Sequence, residues 1–252
     1  MGAAPDWLWM RHDENVPPTA VRKPPIAVLA HGAGSSSEFL DSAFPPQRLG
    51  VADCITLDDR SGEIKQIVGK LRQEVVHTDA PVLLGGVSLG AHAAALLLTD
   101  PPQNVVGGLL ILPAWTGTNQ PVADLTAIAA GAVQSLGQQG VLAELPASDW
   151  VTEQLRLAWA DRTDAALASE LATAAQQPGP SLAQLRTISV PVGLVTLEQD
   201  PLHPASVAEL WAREIPAASV CRLQRDEPAG DLAVFADAAR TALRAGFAAQ
   251  AS

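Results

Sequence analysis

Short apolar runs alternate with longer segments of helical period along most of the chain. Six of these runs have the length of strands and are almost continuously apolar, which is typical of strands buried on both faces of a parallel sheet. Repeated strand–helix–strand units imply right-handed crossovers between parallel strands. The pattern therefore predicts an α/β fold built on a doubly wound, mostly parallel sheet. The predicted strands cover residues 26–31, 51–57, 81–86, 105–112, 190–197 and 219–223.

The remaining segments of the chain are predominantly helical in pattern. A short apolar segment, 7–10, has the composition of an additional edge strand. Residues 114–187 break the alternation, because they are rich in alanine, contain no convincing strand and are divided by glycine and proline. We interpret the chain as a single domain, 1–252, with a helical insertion over 114–187. The other predicted helices cover 61–76, 89–98 and 232–247.

The composition places the chain among globular proteins, since hydrophobic residues make up 48% and charged residues 17%. A net charge of −11 argues against nucleic acid and anionic membrane surfaces as partners. The sequence shows neither a signal-peptide pattern nor the run of about 18 apolar residues that a membrane helix needs. We therefore expect a cytoplasmic protein that is a monomer or a homodimer.

The cysteines and histidines give no sign of a metal site. Cys54 and Cys221 both fall in predicted strands and are interpreted as small buried hydrophobic residues, with a disulfide between them left open. The five histidines and two cysteines lack the spacing of metal ligands, so neither a metal nor a cofactor is expected.

The stretch Gly86-Val87-Ser88-Leu89-Gly90 fits the pattern G-x-S-x-G of a nucleophile elbow. Its glycines are needed because the turn is too tight for side chains two positions before and after the serine. The strain of the turn exposes the serine hydroxyl, and the helix that follows helps to stabilise an anion. An incidental serine in a glycine-rich turn is the alternative, but the apolar strand before Ser88 and the apolar helix after it favour a nucleophile.

Together with HGAG at 31–34, the sequence GVSLGAH resembles the α/β-hydrolase fold family of esterases and lipases. The likeness spans nearly the whole chain: HGAG resembles the oxyanion loop of the family, and the insertion 114–187 falls where the family carries a cap. The resemblance implies that the backbone N–H groups of Ala33 and Leu89 form an oxyanion hole. Such a pair of donors would stabilise the negative charge that develops on the substrate carbonyl oxygen.

The resemblance also implies a catalytic acid after the strand 190–197, where the chain reads EQDPLHP. Asp200 is the candidate, and Glu198 is a neighbour that could replace it. The other place where the family carries this acid, after the strand 105–112, holds no carboxylate. A carboxylate here would orient the general base and stabilise its cationic form. The alternative is that Asp200 only begins a turn.

The family places the histidine base after the last strand, but this chain reads QRDEPAGDLAVF there. His203, three residues after Asp200, is the best replacement, since an imidazole with a pKa near 6.5 suits a general base. His92 lies one helical turn beyond Ser88 and is a second candidate. A carboxylate after the last strand is a third, and the fourth possibility is that no base exists. The carboxylates in question are Asp226, Glu227 and Asp231.

Three tryptophans fall in the insertion, where they either line an apolar pocket or pack its core; Trp115 is the predicted substrate contact. The sequence therefore predicts hydrolysis of a small apolar carboxylic ester or thioester through a Ser88 acyl-enzyme, with a small molecule as the partner. A ligand-binding or scaffold protein and a lyase-type use of the same pocket remain the alternatives, because the usual histidine is missing.

Overall fold

The computed structural model describes residues 23–118 and 121–250, and the predicted edge strand 7–10 lies outside them. Six parallel strands form one sheet in the order β2-β1-β3-β4-β5-β6. This confirms the α/β class and the parallel sheet. The strands are β1 (Ile26–Ala30), β2 (Cys54–Leu57), β3 (Val82–Val87), β4 (Val105–Ile111), β5 (Val192–Leu197) and β6 (Ala218–Leu223).

Helices cover both faces of the sheet. In β1, Val28 and Ala30 pack into one core cluster and Ala27 and Leu29 into the other, because successive side chains of a strand point to opposite faces. One face carries α1 (Ser37–Ala43), α2 (Pro46–Leu49) and α10 (Val234–Gln250). The other carries α3 (Ile64–Val76), α4 (Leu89–Leu98), α8 (Leu182–Leu185) and α9 (Ala205–Glu214).

Three further helices lie between β4 and α8: α5 (Pro121–Glu144), α6 (Trp150–Trp159) and α7 (Asp164–Ala174). They share a small core of their own, to which Val133, Trp159 and Leu167 contribute. The side chains of Asp149 and Thr163 cap the N-termini of α6 and α7. The chain between β4 and β5 is thus helical, and we call α5, α6 and α7 the inserted helices.

Some predicted boundaries differ from the structure for local reasons. The helix predicted from 61 begins at Ile64, because the Ser61 N–H donates to Asp59 Oδ1 and the Glu63 N–H donates to Ser61 Oγ, and these bonds form turns instead. The short helices α1 and α2 were absent from the predicted pattern. Ser36 caps α1 by accepting from the Phe39 N–H.

The sheet separates the two cysteines. Cys54 lies on β2 and Cys221 on β6, which are the opposite edges of the sheet. Five interstrand spacings of about 4.8 Å place them roughly 24 Å apart. A disulfide requires Cα atoms within about 7 Å. The two thiols of one chain therefore cannot pair, and both are free.

No helix among the described residues is long and apolar enough to cross a membrane. Within residues 23–118 and 121–250, no group of three or more histidine, cysteine, aspartate or glutamate side chains is arranged to hold a metal ion.

Candidate active site

Ser88 occupies a strained turn between β3 and α4. Its φ of 54° and ψ of −116° lie in a region that residues with a side chain rarely adopt. Its N–H donates to the carbonyl oxygen of Ile111 at the end of β4, over 2.9 Å. A Cβ on Gly90 would overlap the carbonyl oxygen of Ala30, so the helix can approach β1 this closely only with glycine at that position. The sequence GVSLG therefore forms a sharp strand-to-helix turn that leaves Ser88 partly exposed.

The loop after β1 packs directly against this turn. A Cβ on Gly32 would lie 2.8 Å from Ser88 Cβ and 3.4 Å from Ser88 Oγ, so the loop backbone runs beside the serine. The N–H groups of Ala33 and Leu89 donate to no acceptor among the described residues. Two unpaired N–H groups on the two segments that meet at Ser88 agree with the oxyanion hole that the sequence predicts, and their joint action on a substrate oxygen stays a prediction.

His31 connects this loop to the loop after β2. His31 Nε2 lies 3.1 Å from the Asp59 backbone nitrogen, and Nδ1 lies 2.8 Å from the Gly32 carbonyl oxygen. Asp58 Oδ1 lies 3.2 Å from Nε2. The imidazole is buried and all its polar atoms are engaged, so His31 supports the loop backbone rather than Ser88.

Asp200 and His203 form a hydrogen-bonded pair at the end of β5. His203 Nδ1 lies 2.8 Å from Asp200 Oδ2, and the N–H groups of Leu202 and His203 donate to Asp200 Oδ1. Burial alone would raise the pKa of Asp200, but the hydrogen bond from His203, its charge and the two backbone bonds hold that pKa below its ordinary value. The pair therefore presents a carboxylate to Nδ1, and no described residue is hydrogen-bonded to Nε2 of the imidazole.

The pair does not contact Ser88 in this structure. Ser88 Oγ forms no hydrogen bond with any described residue, His203 included. Ser88 and Asp200 follow β3 and β5, and the intervening β4 separates these strands by about 10 Å, two interstrand spacings. In enzymes without bound substrate, the hydrogen bond between nucleophile and base is often long and shortens when substrate binds.

His92 is unsuited to act as a base. Its ring is fully buried, and Nε2 accepts from the N–H groups of Ala114 and Trp115 over 3.0 and 3.4 Å. Burial, with a smaller contribution from His203, lowers the pKa of His92 to about 3. The lone pair that would take a proton is already engaged. His92 instead supports the chain where it leaves β4.

Two of the three carboxylates after β6 have other partners. Asp231 pairs with Arg48 over 3.0 Å, and Glu227 Oε1 accepts from the Gln224 N–H over 2.6 Å. Asp226, like these two, is exposed to solvent. Glu198, the neighbour of the predicted acid, lies 3.7 Å from Arg222 on β6. None of these carboxylates has a hydrogen bond to Ser88 among the described residues.

Trp115 packs inside the protein. It is only 4% exposed, its ring meets His92 edge-on at a centroid distance of 4.4 Å, and its indole N–H donates to the Gln177 carbonyl oxygen. The structure therefore gives Trp115 a packing role, and its contact with substrate stays a prediction.

Sequence reasoning missed a set of contacts between the inserted helices and the loop after β1. Glu170 Oε1 accepts from the Gly34 N–H, and the indole N–H of Trp159 donates to the Gly34 carbonyl oxygen, both over 2.9 Å. Arg162 donates to Glu170 and to the Ser35 carbonyl oxygen. The partners Gly34 and Glu170 lie 136 residues apart, so no local pattern signals the contact.

No protein-family model matches the chain, and no curated protein sequence matches it. Several solved structures of other proteins are similar to the structure of this chain. A hydrolase from Pseudomonas aeruginosa PA01 is 20% identical with a TM-score of 0.65, covering 85% of this chain and 88% of that one. MenH from Staphylococcus aureus is 17% identical with a TM-score of 0.64, covering 86% and 90%. A carboxylesterase structure from Nitrososphaera gargenis is 14% identical with a TM-score of 0.67, covering 80% and 82%. With its sheet order and its strand-to-helix turn at Ser88, the chain has the α/β-hydrolase fold.

Proposed function

We propose that the protein is a serine hydrolase that cleaves a small apolar carboxylic ester or thioester through an acyl-enzyme on Ser88. The observation that carries this proposal is the strained backbone of Ser88 beside two unpaired N–H groups. Strain of this kind costs about 1–3 kcal/mol and is retained mainly where function depends on it.

In the proposed mechanism, Ser88 Oγ attacks the substrate carbonyl carbon while His203 Nε2 accepts the hydroxyl proton. The N–H groups of Ala33 and Leu89 donate to the oxyanion of the tetrahedral intermediate. The imidazolium then protonates the leaving alcohol or thiol, and water hydrolyses the acyl-enzyme by the same route. Asp200 holds the ring through Nδ1, and its low pKa keeps it ionised at neutral pH to stabilise the imidazolium.

The substrate class rests on charge and on the structural comparisons. A chain of net charge −11 repels polyanionic substrates, which favours a neutral acyl compound. Two of the similar structures bear the names of esterases, the carboxylesterase from Nitrososphaera gargenis and a thermophilic esterase from Thermogutta terrifontis with a TM-score of 0.61. We also propose that residues 114–187 act as the cap of this site, since the inserted helices contact the loop that carries Ala33. The two free thiols fit the reducing cytoplasm as its location.

Steady-state hydrolysis of p-nitrophenyl esters of increasing acyl length tests the proposal. Ser88→Ala and His203→Gln should each lower kcat by about a million-fold, because removal of the nucleophile or base leaves only binding and oxyanion stabilisation. His77→Gln is the matched control, since His77 is exposed at the end of α3. Full activity in Ser88→Ala would contradict the acyl-enzyme. Full activity in His203→Gln beside an inactive Ser88→Ala would contradict only the assignment of the base.

The second candidate function is a ligand-binding protein or a lyase built on the same fold. The observation that favours it is that Ser88 Oγ has no hydrogen bond to His203 or to any other described residue. If the protein only binds ligands, wild type and Ser88→Ala should both bind esters and neither should hydrolyse them. A lyase should keep its turnover in Ser88→Ala.

A further inference from the structure

The inserted helices hold the loop after β1 through side chains that bind its backbone. Glu170 on α7 accepts the Gly34 N–H, and Trp159 on α6 donates to the Gly34 carbonyl oxygen. Arg162, between the two helices, donates to the carbonyl oxygen of the next residue, Ser35. Three successive peptide groups after Ala33 are therefore fixed by side chains from another part of the chain.

The ion pair that does this is buried. The side chains of Arg162 and Glu170 are each only 2% exposed, and Arg162 binds Glu170 and the loop at once. Burial raises the pKa of Glu170, against the opposing effects of Arg162 and of the Gly34 N–H. Well-packed apolar residues often stabilise a fold as well as a buried ion pair does, so stability alone gives no reason for the pair. Its geometric effect is specific, because the hydrogen bonds that the two side chains make to other residues all end on the backbone of the loop.

The loop bears directly on the chemistry of Ser88. The Ala33 N–H, one of the two proposed oxyanion donors, belongs to the peptide group just before the three that are held. The turn itself has one backbone bond, from the Ser35 N–H to the Gly32 carbonyl oxygen over 3.1 Å. A displacement of about 1 Å in a catalytic group is enough to cost up to 100-fold in rate. Besides this bond and the contact of His31 Nδ1 with the Gly32 carbonyl oxygen, the described bonds to the backbone of residues 32–35 come from the inserted region.

We propose that Glu170, together with Trp159 and Arg162, is a positioning residue for the Ala33 oxyanion donor, so that these three side chains affect catalysis through the loop. The inference rests on the proposed function of Ser88. It predicts that these side chains act on kcat through the loop, without touching the substrate.

The test compares Glu170→Ala, Glu170→Gln and Trp159→Phe with two matched controls on the same inserted helices. Glu153→Ala removes an exposed carboxylate that pairs with Arg156, and Trp150→Phe removes an indole N–H that donates to the Arg225 carbonyl oxygen. Glu170→Gln keeps an oxygen that can accept from the Gly34 N–H, so it should recover part of what Glu170→Ala loses. Trp159→Phe removes the hydrogen bond to the Gly34 carbonyl oxygen while keeping an aromatic ring. It tests the same proposal if Glu170→Ala does not fold.

Two readouts are needed. Amide hydrogen exchange of a peptide covering residues 31–36 reports the loop without reference to activity. Steady-state ester hydrolysis and inhibition by an alkyl trifluoromethyl ketone report the oxyanion hole, because the hemiketal oxygen of this inhibitor occupies it. We expect faster exchange, a kcat lowered about 10-fold to 100-fold at nearly constant KM, and an inhibition constant raised by a similar factor in Glu170→Ala and Trp159→Phe. The controls should match wild type.

Unchanged exchange in both variants overturns the proposal even if activity falls. Faster exchange with a raised KM and an unchanged kcat also overturns it, because the side chains would then only support the inserted helices. If the wild type shows no turnover that depends on Ser88, the proposed function fails, and the positioning role fails with it. That failure is recognised by comparing the wild type with Ser88→Ala, before any Glu170 variant is compared.

Discussion

The non-glycine residues with positive φ lie at the carboxyl ends of neighbouring strands. Among the described residues they are Ser88, Leu112 and Gln199, with φ of 54°, 51° and 58°. They follow β3, β4 and β5 in turn, and Gln199 directly precedes Asp200. Bonds between neighbouring strands hold them, such as that from the Leu112 N–H to the Val195 carbonyl oxygen. Because strain of this kind clusters at functional sites, we expect the site at the carboxyl ends of these three strands.

Gly32→Ala should lower ester hydrolysis about 100-fold while the protein stays folded, because the new Cβ would lie 2.8 Å from Ser88 Cβ and displace the loop. The measurement is kcat for a p-nitrophenyl ester, with circular dichroism to verify folding. Gly69→Ala is the matched control, since a Cβ there meets no atom within 4 Å. It should stabilise α3 by about 0.5–1 kcal/mol and leave kcat unchanged. Equal activity of the two variants would count against the close approach of the loop to Ser88.

His92 should make the stability of the protein depend on pH. Its folded-state pKa of about 3 lies below the ordinary value of 6.5, so between these values the unfolded chain binds a proton that the folded protein does not. Stability should therefore fall as the pH drops below 6.5. Between pH 6.5 and 5.0 the loss of stability due to His92 is about 1.6 kcal/mol. Urea unfolding at the two pH values measures this loss. The free energy of unfolding of His92→Gln should fall less than that of wild type, by the same amount. The same loss in both proteins would contradict the neutral buried imidazole.

At the scale of elements, burial follows the helical period closely enough to predict α3 from its sequence. Ile64, Ile67, Leu71 and Val75 are buried and recur every three or four residues, as the apolar pattern indicates. Its start was wrong by three residues because Ser61 and Asp59 form turns whose side-chain bonds compete with the helix. The short helices α1 and α2 were not predicted, because one or two turns give too few repeats for a helical period to be recognised.

Adjacent valines at the end of α3 test this assignment of faces. Val75 is fully buried and Val76 is 59% exposed. Val75→Ala should lower the free energy of unfolding by about 2 kcal/mol, since it leaves a cavity in the core. Val76→Ala should change it by less than about 0.5 kcal/mol. Urea denaturation of the two variants decides the matter, and equal losses would show that the helix is rotated from the described position.

At the scale of the whole molecule, what could be predicted from the sequence depended on how far apart the partners lie in the chain. The turn at Ser88 and the pair of Asp200 and His203 arise within a few residues, so local patterns indicate them. The contact of Glu170 with Gly34 joins residues 136 apart and depends on how α7 packs, which no local pattern encodes. The approach of His203 to Ser88 depends likewise on the relative positions of β3 and β5. That approach is the part of the site on which the proposed chemistry depends most.

Intact-mass analysis after treatment with a fluorophosphonate at neutral pH tests the central claim most directly. Wild type should gain one phosphonyl group rapidly, Ser88→Ala should gain none, and His203→Ala should react at least 100-fold more slowly, because the hydroxyl loses its base. A folded wild-type protein that stays unlabelled, or a Ser88→Ala variant that is labelled as fast as wild type, would contradict the assignment of Ser88 as an activated nucleophile.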